Sequence, residues 1–472
     1  MIIKGYLFSI IYGLLCIFVA GIAHKMGLKS VYARKITHIL VGFEWVILYH
    51  FFGTSIHFII VCLIFSLIVV ISYYKNLLPQ FSSEENNSPG TLYYCAAMTT
   101  MAIISYFLPT MAVPFGIGVF CTSLGDGLAG VFGQIKIHNK QIYSEKTLFG
   151  SIVCFVFSLI SALLMIHFYE LNLEIYHAVI IAFFATELEL IGKKGIDNIT
   201  VTLGTSFLAF AFSVFPVLIN YALPIILTLP IILLVYQKNA LTKNGILIAL
   251  ALDVVVSLAF GNVGFLILVV FFGGSLAVDK IKKEKANQPR EKRNAKQVLA
   301  NGSLGAIIAL LYIIFPEDIL YIAFCSVFAE ALADTTASSI GALSQVAYDP
   351  FRRKTVKQGI SGGMSIIGTA SSLVASVIIA VISSAFYGVG ITGFMVISIS
   401  GFLGCIFDSF LGSLAQIKYK CLICGEITEQ KVHCGKSTMR HSGLAFVDNN
   451  AVNLFSTVFS SIVSIILFIL LN

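Results

Sequence analysis

Charge is scarce in this chain. Only 11% of its 472 residues are Asp, Glu, Lys or Arg, against 58% hydrophobic. Soluble domains carry about 25% charged residues, so a soluble globular fold is excluded. A mean hydropathy of +0.94 puts the chain among polytopic membrane proteins. No small-residue cleavage site follows the first apolar run, which begins at Met1-Ile2-Ile3 and reads as a retained helix. A disulfide framework is also lacking: most of the ten cysteines, such as Cys16, Cys62 and Cys154, sit in apolar runs as small core residues. The net charge of +7 would suggest a nucleic-acid partner in a soluble chain. Here the basic residues lie in loops between apolar runs and set topology, so no nucleic acid is expected.

Apolar runs take the place of charge. About sixteen are long enough to cross a bilayer as helices of about 17–25 residues. They lie near 5–23, 36–52, 54–74, 91–108, 111–133, 148–168, 174–192, 200–219, 221–236, 244–259, 261–280, 297–315, 318–345, 363–386, 389–414 and 450–471. The expected fold is all-α, a polytopic membrane protein of about 14–16 transmembrane helices. Every second loop is basic. Lys25, Lys29, Arg34 and Lys35 follow the first run, and Lys136, Lys140 and Lys146 the fifth. Lys193, Lys194, Lys238 and Lys243, Arg352 to Lys357, and Lys418 to Arg440 continue the pattern. The positive-inside rule places these loops in the cytoplasm and both termini outside. The most polar stretch, 280–296, either binds anionic headgroups or is a solvated linker. Asn220-Tyr221-Ala222-Leu223-Pro224 interrupts two runs and suggests halves of 1–220 and 221–472.

One motif is costly where it stands. Gly125-Asp126-Gly127-Leu128-Ala129-Gly130-Val131-Phe132-Gly133 puts an acid inside an apolar run. An ionised Asp there costs about 3 kcal/mol or more, so it is expected to serve a function. Asp126-x-x-Ala129-x-x-x-Gly133 recurs as Asp334-x-x-Ala337-x-x-x-Gly341. Three further elements follow each copy in the same order. After Asp126 come Lys146-Thr147-x-x-Gly150-Ser151, then Glu187, then Asp197-Asn198. After Asp334 come Gly362-Gly363-Met364-Ser365-x-x-Gly368-Thr369, then Asp408, then Asp448-Asn449-Asn450. Two parallel-repeat halves are the expectation.

Carboxylates and phosphate groups together are the usual shell of Mg²⁺. Asp126, Glu187 and Asp197, with Asp334, Asp408 and Asp448, are the candidate ligands. Glycines such as Gly125 and Gly133 would let a phosphate chain approach the backbone. Free N–H groups at the helix start near Thr147, Gly150 and Ser151 favour an anion, and Lys146 adds a point charge. These are parts for phosphoryl or nucleotidyl transfer. The plainer alternatives are helix packing for Gly127, Gly130 and Gly133 and topology for Lys146. Arg34 and His38, four apart on one helix face, either bind phosphate or move a proton, or are a topology arginine and an interfacial histidine. Arg293-x-x-x-Gln297, then Asn301-Gly302, stand in the corresponding place of the second half.

A polar loop at 415–447 holds Cys421-x-x-Cys424 and His433-Cys434, with His441 close behind. Three thiolates and an imidazole suit a structural Zn²⁺, with His433 and His441 competing for the fourth place. Reduced thiols and redox chemistry are the alternatives.

On these residues the first half resembles the dolichol and phytol kinase family of CTP-dependent polyprenol kinases. The resemblance rests on Arg34-Lys35-x-x-His38, the Gly125–Gly133 motif, Lys146-Thr147-x-x-Gly150-Ser151 and Asp197-Asn198. The second half resembles the phytyl-phosphate kinase family of multi-span proteins. It does so in 297–302, Ala333-Asp334-Thr335-x-Ala337-Ser338, Gly362–Thr369, Asp408-Ser409-x-Leu411-Gly412 and Asp448-Asn449-Asn450-x-x-Asn453. The resemblance implies a fusion that phosphorylates an isoprenoid alcohol (phytol, farnesol, geranylgeraniol or a polyprenol) to the monophosphate and then the diphosphate. It implies CTP as co-substrate, a lipid drawn from the bilayer, and a salvage role. It also implies roles for Asn198, Asn301, Asn449 and Asn453 at the nucleotide. No lysine in the second half matches Lys146; Gly363 stands near that place, and Arg352, Arg353 or Lys354 would have to supply the charge. The alternatives are a CTP-dependent cytidylyltransferase making a CDP-lipid, and a secondary transporter with repeated halves.

Overall fold

The structure, a computed structural model, describes the chain except residues 27–29, 76–88, 135–140, 144–145, 287–291, 345 and 357–359. Lys29, Lys136, Lys140, Lys357 and the middle of the 280–296 stretch therefore lie outside the described residues, as does the Arg34 side chain. The fold is all-α and polytopic. In hydrocarbon every backbone N–H and C=O must be satisfied internally, and runs of Leu, Ile, Val and Phe meet that demand as helices.

The chain divides into two compact units, Met1–Leu229 and Pro230–Asn472. The first contains α1 (Ile2–Lys25), α2 (Ser30–Gly42), α3 (Glu44–Phe52), α4 (Ile56–Lys75), α5 (Gly90–Phe107), α6 (Ala112–Phe120) and α7 (Gly127–Phe132). A hairpin of β1 (Gln141–Tyr143) and β2 (Lys146–Thr147) follows, then α8 (Leu148–Phe168), α9 (Ile175–Ile191) and α10 (Asp197–Val214). The division falls inside α11 (Ala222–Gln237), just before its internal Pro230. The second unit contains α12 (Lys243–Ala286), α13 (Ala295–Ile314) and α14 (Asp318–Gly341). Next come the hairpin of β3 (Ala347–Asp349) and β4 (Lys354–Val356), then α15 (Ile366–Phe386) and α16 (Gly390–Leu414). A ribbon of β5 (Lys418–Lys420), β6 (Ile427–Thr428), β7 (Val432–His433), β8 (Lys436–Ser437) and β9 (Met439–Ser442) precedes α17 (Asn449–Leu471).

The sixteen apolar runs fall on these helices, with adjustments. Run 36–52 is divided between α2 and α3. Runs 244–259 and 261–280 are joined in α12, which turns sharply at Gly261 (φ 56°). Among the described residues, eleven helices are long and apolar enough to cross a membrane. The number is below sixteen for physical reasons. α3 has nine residues and α9 seventeen, α5 and α10 are rich in Thr, Ser or Tyr, and α12 counts once.

Each motif Asp lies on the most enclosed helix of its unit. In Pro109–Phe132 and Asp318–Gly341, 72% of the spanning window is buried, against 22% in α1. Around the first, Trp45, Met101, Phe115, Ile181 and Phe212 close a core. Around the second, Tyr321, Phe324, Phe328, Ile379 and Ile397 do so. Hydroxyls join helices inside the second core: Ser400 Oγ donates to Ser326 Oγ at 2.9 Å, and Ser460 Oγ to Ser326 O at 3.0 Å. Such side chains hold helices together where lipid offers no hydrophobic drive.

Both units use one local construction. The motif helix crosses the helix that returns from its hairpin at paired glycines. A Cβ on Gly150 would lie 3.4 Å from Gly133 Cα; one on Gly368 would lie 3.1 Å from Gly341 Cα and 2.9 Å from Ala337 O. The returning helix is capped alike in both. Gly150 N–H donates to Thr147 Oγ1 at 3.3 Å, and Gly368 N–H to Ser365 Oγ at 3.1 Å. The crossing is tighter in the second unit. Gly368→Ala is expected to destabilise the protein by about 1–3 kcal/mol through overpacking against backbone. Gly150→Ala should do less. Thermal denaturation in detergent of the two variants beside the parent checks the order.

Candidate active site

The first unit gathers charge at one place. The backbone widens into a π-helical turn at Cys121–Asp126 before α7 begins. Such turns often mark functional sites. Asp126 at its end is 1% exposed. Lys35, from α2, donates from Nζ to Asp126 Oδ2 at 2.9 Å. Gly130 leaves room for the lysine stem, since a Cβ there would lie 2.4 Å from Lys35 Cε. His38, one turn further along α2, has Nε2 3.2 Å from Thr122 O and 3.9 Å from Asp126 Oδ2. Its ring packs on Tyr94 with centroids 4.4 Å apart. Thr122 Oγ1 lies 2.7 Å from Thr202 Oγ1, which ties the π turn to α10.

Lys146, in β2, supplies the second cation. Its Nζ donates to Glu189 Oε1 at 2.5 Å and to Asp197 Oδ2 at 2.9 Å. Burial pulls the Lys146 ammonium down, but Glu189, Asp126 and Asp197 outweigh it and hold the group well above the ordinary lysine range. It therefore stays charged throughout physiological pH. Two lysines thus face three carboxylates, with His38 beside them.

These groups form the polar end of a cavity of about 1140 Å³. Thr147, Gly150, Ser151 and Asn198 line the same end. The cavity continues between α1 and α4 along Ile10, Leu14, Ile17, Val61, Phe65 and Ile68. An apolar hollow with a few convergent polar groups is the usual form of a small-molecule site. Near its apolar part Glu44 accepts a hydrogen bond from the Ser9 hydroxyl.

In the second unit Asp334 and Glu330 stand one turn apart on α14. They and Asp408, on α16, lie within electrostatic range of one another, and Arg293 lies within range of Asp334. Arg293 Nη2 also donates to Asp279 Oδ2 at 2.9 Å, and Ser339 Oγ to Asp279 Oδ1 at 3.0 Å. Ser456 Oγ donates to Asp408 Oδ2 at 3.4 Å, and Asn453 Nδ2 to Asn301 Oδ1 at 3.0 Å. Thr369 N–H continues the capped turn by donating to Ser365 O at 2.8 Å.

Several residues singled out in the sequence lie elsewhere. Gly125 packs on α8, where a Cβ would lie 2.3 Å from Ser158 Oγ. Glu187 is buried with Oε1 unpartnered and does not line the cavity; Glu189, two residues on, does. Asn198 does line the cavity, and donates from Nδ2 to Gly90 O at 2.7 Å. Gly362 (φ 90°) and Gly363 serve the chain's approach to α16 and to the β3–β4 hairpin: their Cβ positions meet Ser413 Cα at 2.5 Å and Val356 Cγ2 at 2.8 Å. Asp448 is exposed and caps α17, accepting from Ala451 N–H at 3.0 Å; Asn449 is exposed beside it. Glu189 and Glu330 were not singled out, and Lys35 was named in the Arg34–His38 motif without a role of its own. For Lys35 and Glu330 a signal existed: each stands three or four residues from His38 or Asp334, on the same helix face.

In the ribbon, one donor atom from each of Cys421, Cys424, His433 and Cys434 lies within 4.8 Å of the others. His433 Nδ1 is 3.5 Å from Cys424 Sγ and 3.3 Å from Cys434 Sγ. Backbone N–H bonding and His433 bring the Cys421 thiol down to about 6. This group can hold a metal ion.

The family described as integral membrane protein DUF92 matches residues 226–461, half of the chain. Among curated proteins, a phytol kinase of Synechocystis is 32% identical over 154 residues, which are 31% of this chain and 64% of that protein. The chloroplastic protein VTE6 of Arabidopsis thaliana is 28% identical over 154 residues, 30% of this chain and 46% of that protein. An uncharacterized membrane protein of Synechocystis is 30% identical over 164 residues, 33% of this chain and 62% of that protein. The chain thus spans about half to under two thirds of the relatives it matches. No solved structure matches it.

The electrostatics of the first unit yield a check. Removing one partner of a buried pair costs about 3–5 kcal/mol, because the other charge is stranded. Lys146→Met should therefore lower thermal stability sharply. Adding Glu189→Gln should restore part of the loss. A double-mutant cycle on melting temperature reads the coupling.

Proposed function

The chain belongs to the DUF92 family of integral membrane proteins, and from that premise we propose a membrane lipid kinase with two sites. The first unit phosphorylates an isoprenoid alcohol to its monophosphate, and the second adds a phosphate to give the diphosphate. The observation that carries this reading is the first unit's cavity. It is charged at one end, apolar along the other, and the size of a small lipid.

The chemistry follows from the residues. Lys35 and Lys146 neutralise acids and are the groups that turn to the phosphates of an incoming nucleotide. The capped start of α8 at Thr147 and Gly150 adds N–H groups for the same anion. The acids fit Mg²⁺, a hard cation that takes oxygen ligands. Glu189 and Asp197 would hold it, and Glu189 Oε2 is buried without a hydrogen-bond partner. When bound, the ion neutralises phosphate charge. Asp126, oriented by Lys35, accepts the proton of the attacking hydroxyl. The groove between α1 and α4 seats the isoprenoid chain. CTP is the donor that the polyprenol-kinase resemblance implies. The kinase reading is supported by similarity to the Synechocystis phytol kinase. The two-site reading is supported by the repeated glycine crossing, the repeated cap, and the acids at both places. Arg293 takes the cationic role of Lys146 in the second unit.

Purified full-length protein, given CTP labelled in the γ-phosphate, Mg²⁺ and phytol or farnesol, should yield labelled lipid mono- and diphosphate with release of CDP. Asp126→Asn should slow the alcohol step by about 100-fold or more. Asp334→Asn should stall the reaction at the monophosphate. No labelled lipid with any nucleotide sinks the kinase reading. Loss of the same step in both variants sinks the two-site assignment. Pyrophosphate in place of CDP would favour the cytidylyltransferase.

A further inference from the structure

The ribbon between α16 and α17 lacks what normally holds a small β fold together. Leu422, Ile423, Val432 and Met439 are 65%, 55%, 57% and 61% exposed, so no hydrophobic core joins its hairpins. Units this small usually need a staple. Its strands are two to four residues long, and its turns are tight, with positive φ at Gly425 (74°), Cys434 (51°) and Gly435 (75°). Against this weak framework, Cys421, Cys424, His433 and Cys434 bring their donor atoms within 4.8 Å of one another. They come from separate turns, with eight residues between Cys424 and His433. Disulfides are absent among the described cysteines. His441 lies on β9, outside the group.

The ribbon also reaches back to the second unit's helices. Glu429 sits between the two ligand pairs. Its Oε1 accepts from Ser361 N–H at 3.2 Å and from the Ser361 hydroxyl. Lys418, at the ribbon's base, donates from Nζ to Ser361 O at 2.8 Å. Ser361 leads directly to Gly362, packed on Ser413 of α16, and then to Ser365, the cap of α15.

We propose that Cys421, Cys424, His433 and Cys434 bind one structural Zn²⁺, and that this ion braces the start of α15 by holding Glu429 against Ser361. Thiolates and an imidazole are the donors of a closed tetrahedral zinc site, and hard cations such as Mg²⁺ or Ca²⁺ do not favour them. On binding, the three thiols release their protons and become thiolates, and His433 binds neutral through Nδ1. The resulting group carries one negative charge. It ties the turn after β5 to the turn between β7 and β8, and Glu429, in the bend between β6 and β7, is fixed as a result. Glu429 and Lys418 then grip Ser361 from both its N–H and its C=O. The brace does not depend on the kinase reading, since it concerns the ribbon and the entry to α15 alone.

The test uses the full-length chain in detergent. Elemental analysis should find one zinc per chain in the parent and in His441→Ala, and none in Cys424→Ser or His433→Ala. Hydrogen exchange then reads the brace. Stripping the metal with a chelator should speed exchange of the 361–365 amides by about tenfold or more, and leave those of 147–151 in the first unit unchanged. Glu429→Ala should keep its zinc and still show the faster exchange at 361–365, which separates the brace from loss of the ribbon fold. Absence of zinc, iron in its place, or loss of metal in His441→Ala would overturn the site. Unchanged exchange at 361–365 in the stripped protein, or in Glu429→Ala, would overturn the brace.

Discussion

A carboxylate enclosed in a membrane-spanning helix has to be paired, and the first unit is arranged around that demand. Asp126 stands within the unit's most enclosed helix, where an unpaired charge costs several kcal/mol. Lys35 meets it from α2 and Lys146 meets its neighbours from β2. Each approach sets a constraint elsewhere. Gly130 leaves the space that the end of the Lys35 side chain occupies. The glycine crossing brings β2, and so Lys146, close to α7. The hydroxyl pair of Thr122 and Thr202 holds α10 so that Asp197 meets Lys146. The charge cluster and the helix packing are one construction.

The second unit keeps the crossing and changes the charges. Gly341 meets Gly368 as Gly133 meets Gly150, and Ser365 caps as Thr147 does. Where Thr122 stands four residues before Asp126, Glu330 stands four before Asp334. The cation comes from Arg293, which is also bound to Asp279. The geometry the two units share is a backbone one, carried by glycines and caps, and the part that differs is the side-chain charge placed on it. A planar guanidinium and a point-like ammonium are not interchangeable phosphate ligands. If both units bind phosphate, they do so by different contacts.

Much of the fold was legible residue by residue. Apolar runs became helices because lipid leaves no other way to satisfy their backbones. Ser365 and Thr147 could be recognised as helix starts because a hydroxyl before a helical run supplies an orphan N–H with a partner. The candidate site was legible in part. The Asp126, Lys146 and Asp197 motifs come together in space, and the Cys421 group closes as its spacing suggested. Glu187 and Glu189 could not be separated, because two residues apart on a helix means nearly opposite faces, and periodicity does not say which face meets Lys146. Asp448 reads as an acid near a helix in either role; only its bond to Ala451 N–H distinguishes a cap. Gly125 reads as a phosphate glycine until Ser158 is found against it.

By itself, then, the sequence determined the class of protein, the helices, the motif order and the cation-to-acid chemistry available. These depend on composition and on contacts close along the chain. The tertiary structure alone decided which acid faces which cation, that Lys35 rather than Lys146 pairs Asp126, and that polar and apolar groups share one cavity. Those outcomes rest on contacts between residues up to about ninety positions apart, as Lys35 and Asp126 are. Such contacts are set by helix rotation and crossing, and a rotation of one residue moves a side chain about 100° around its helix.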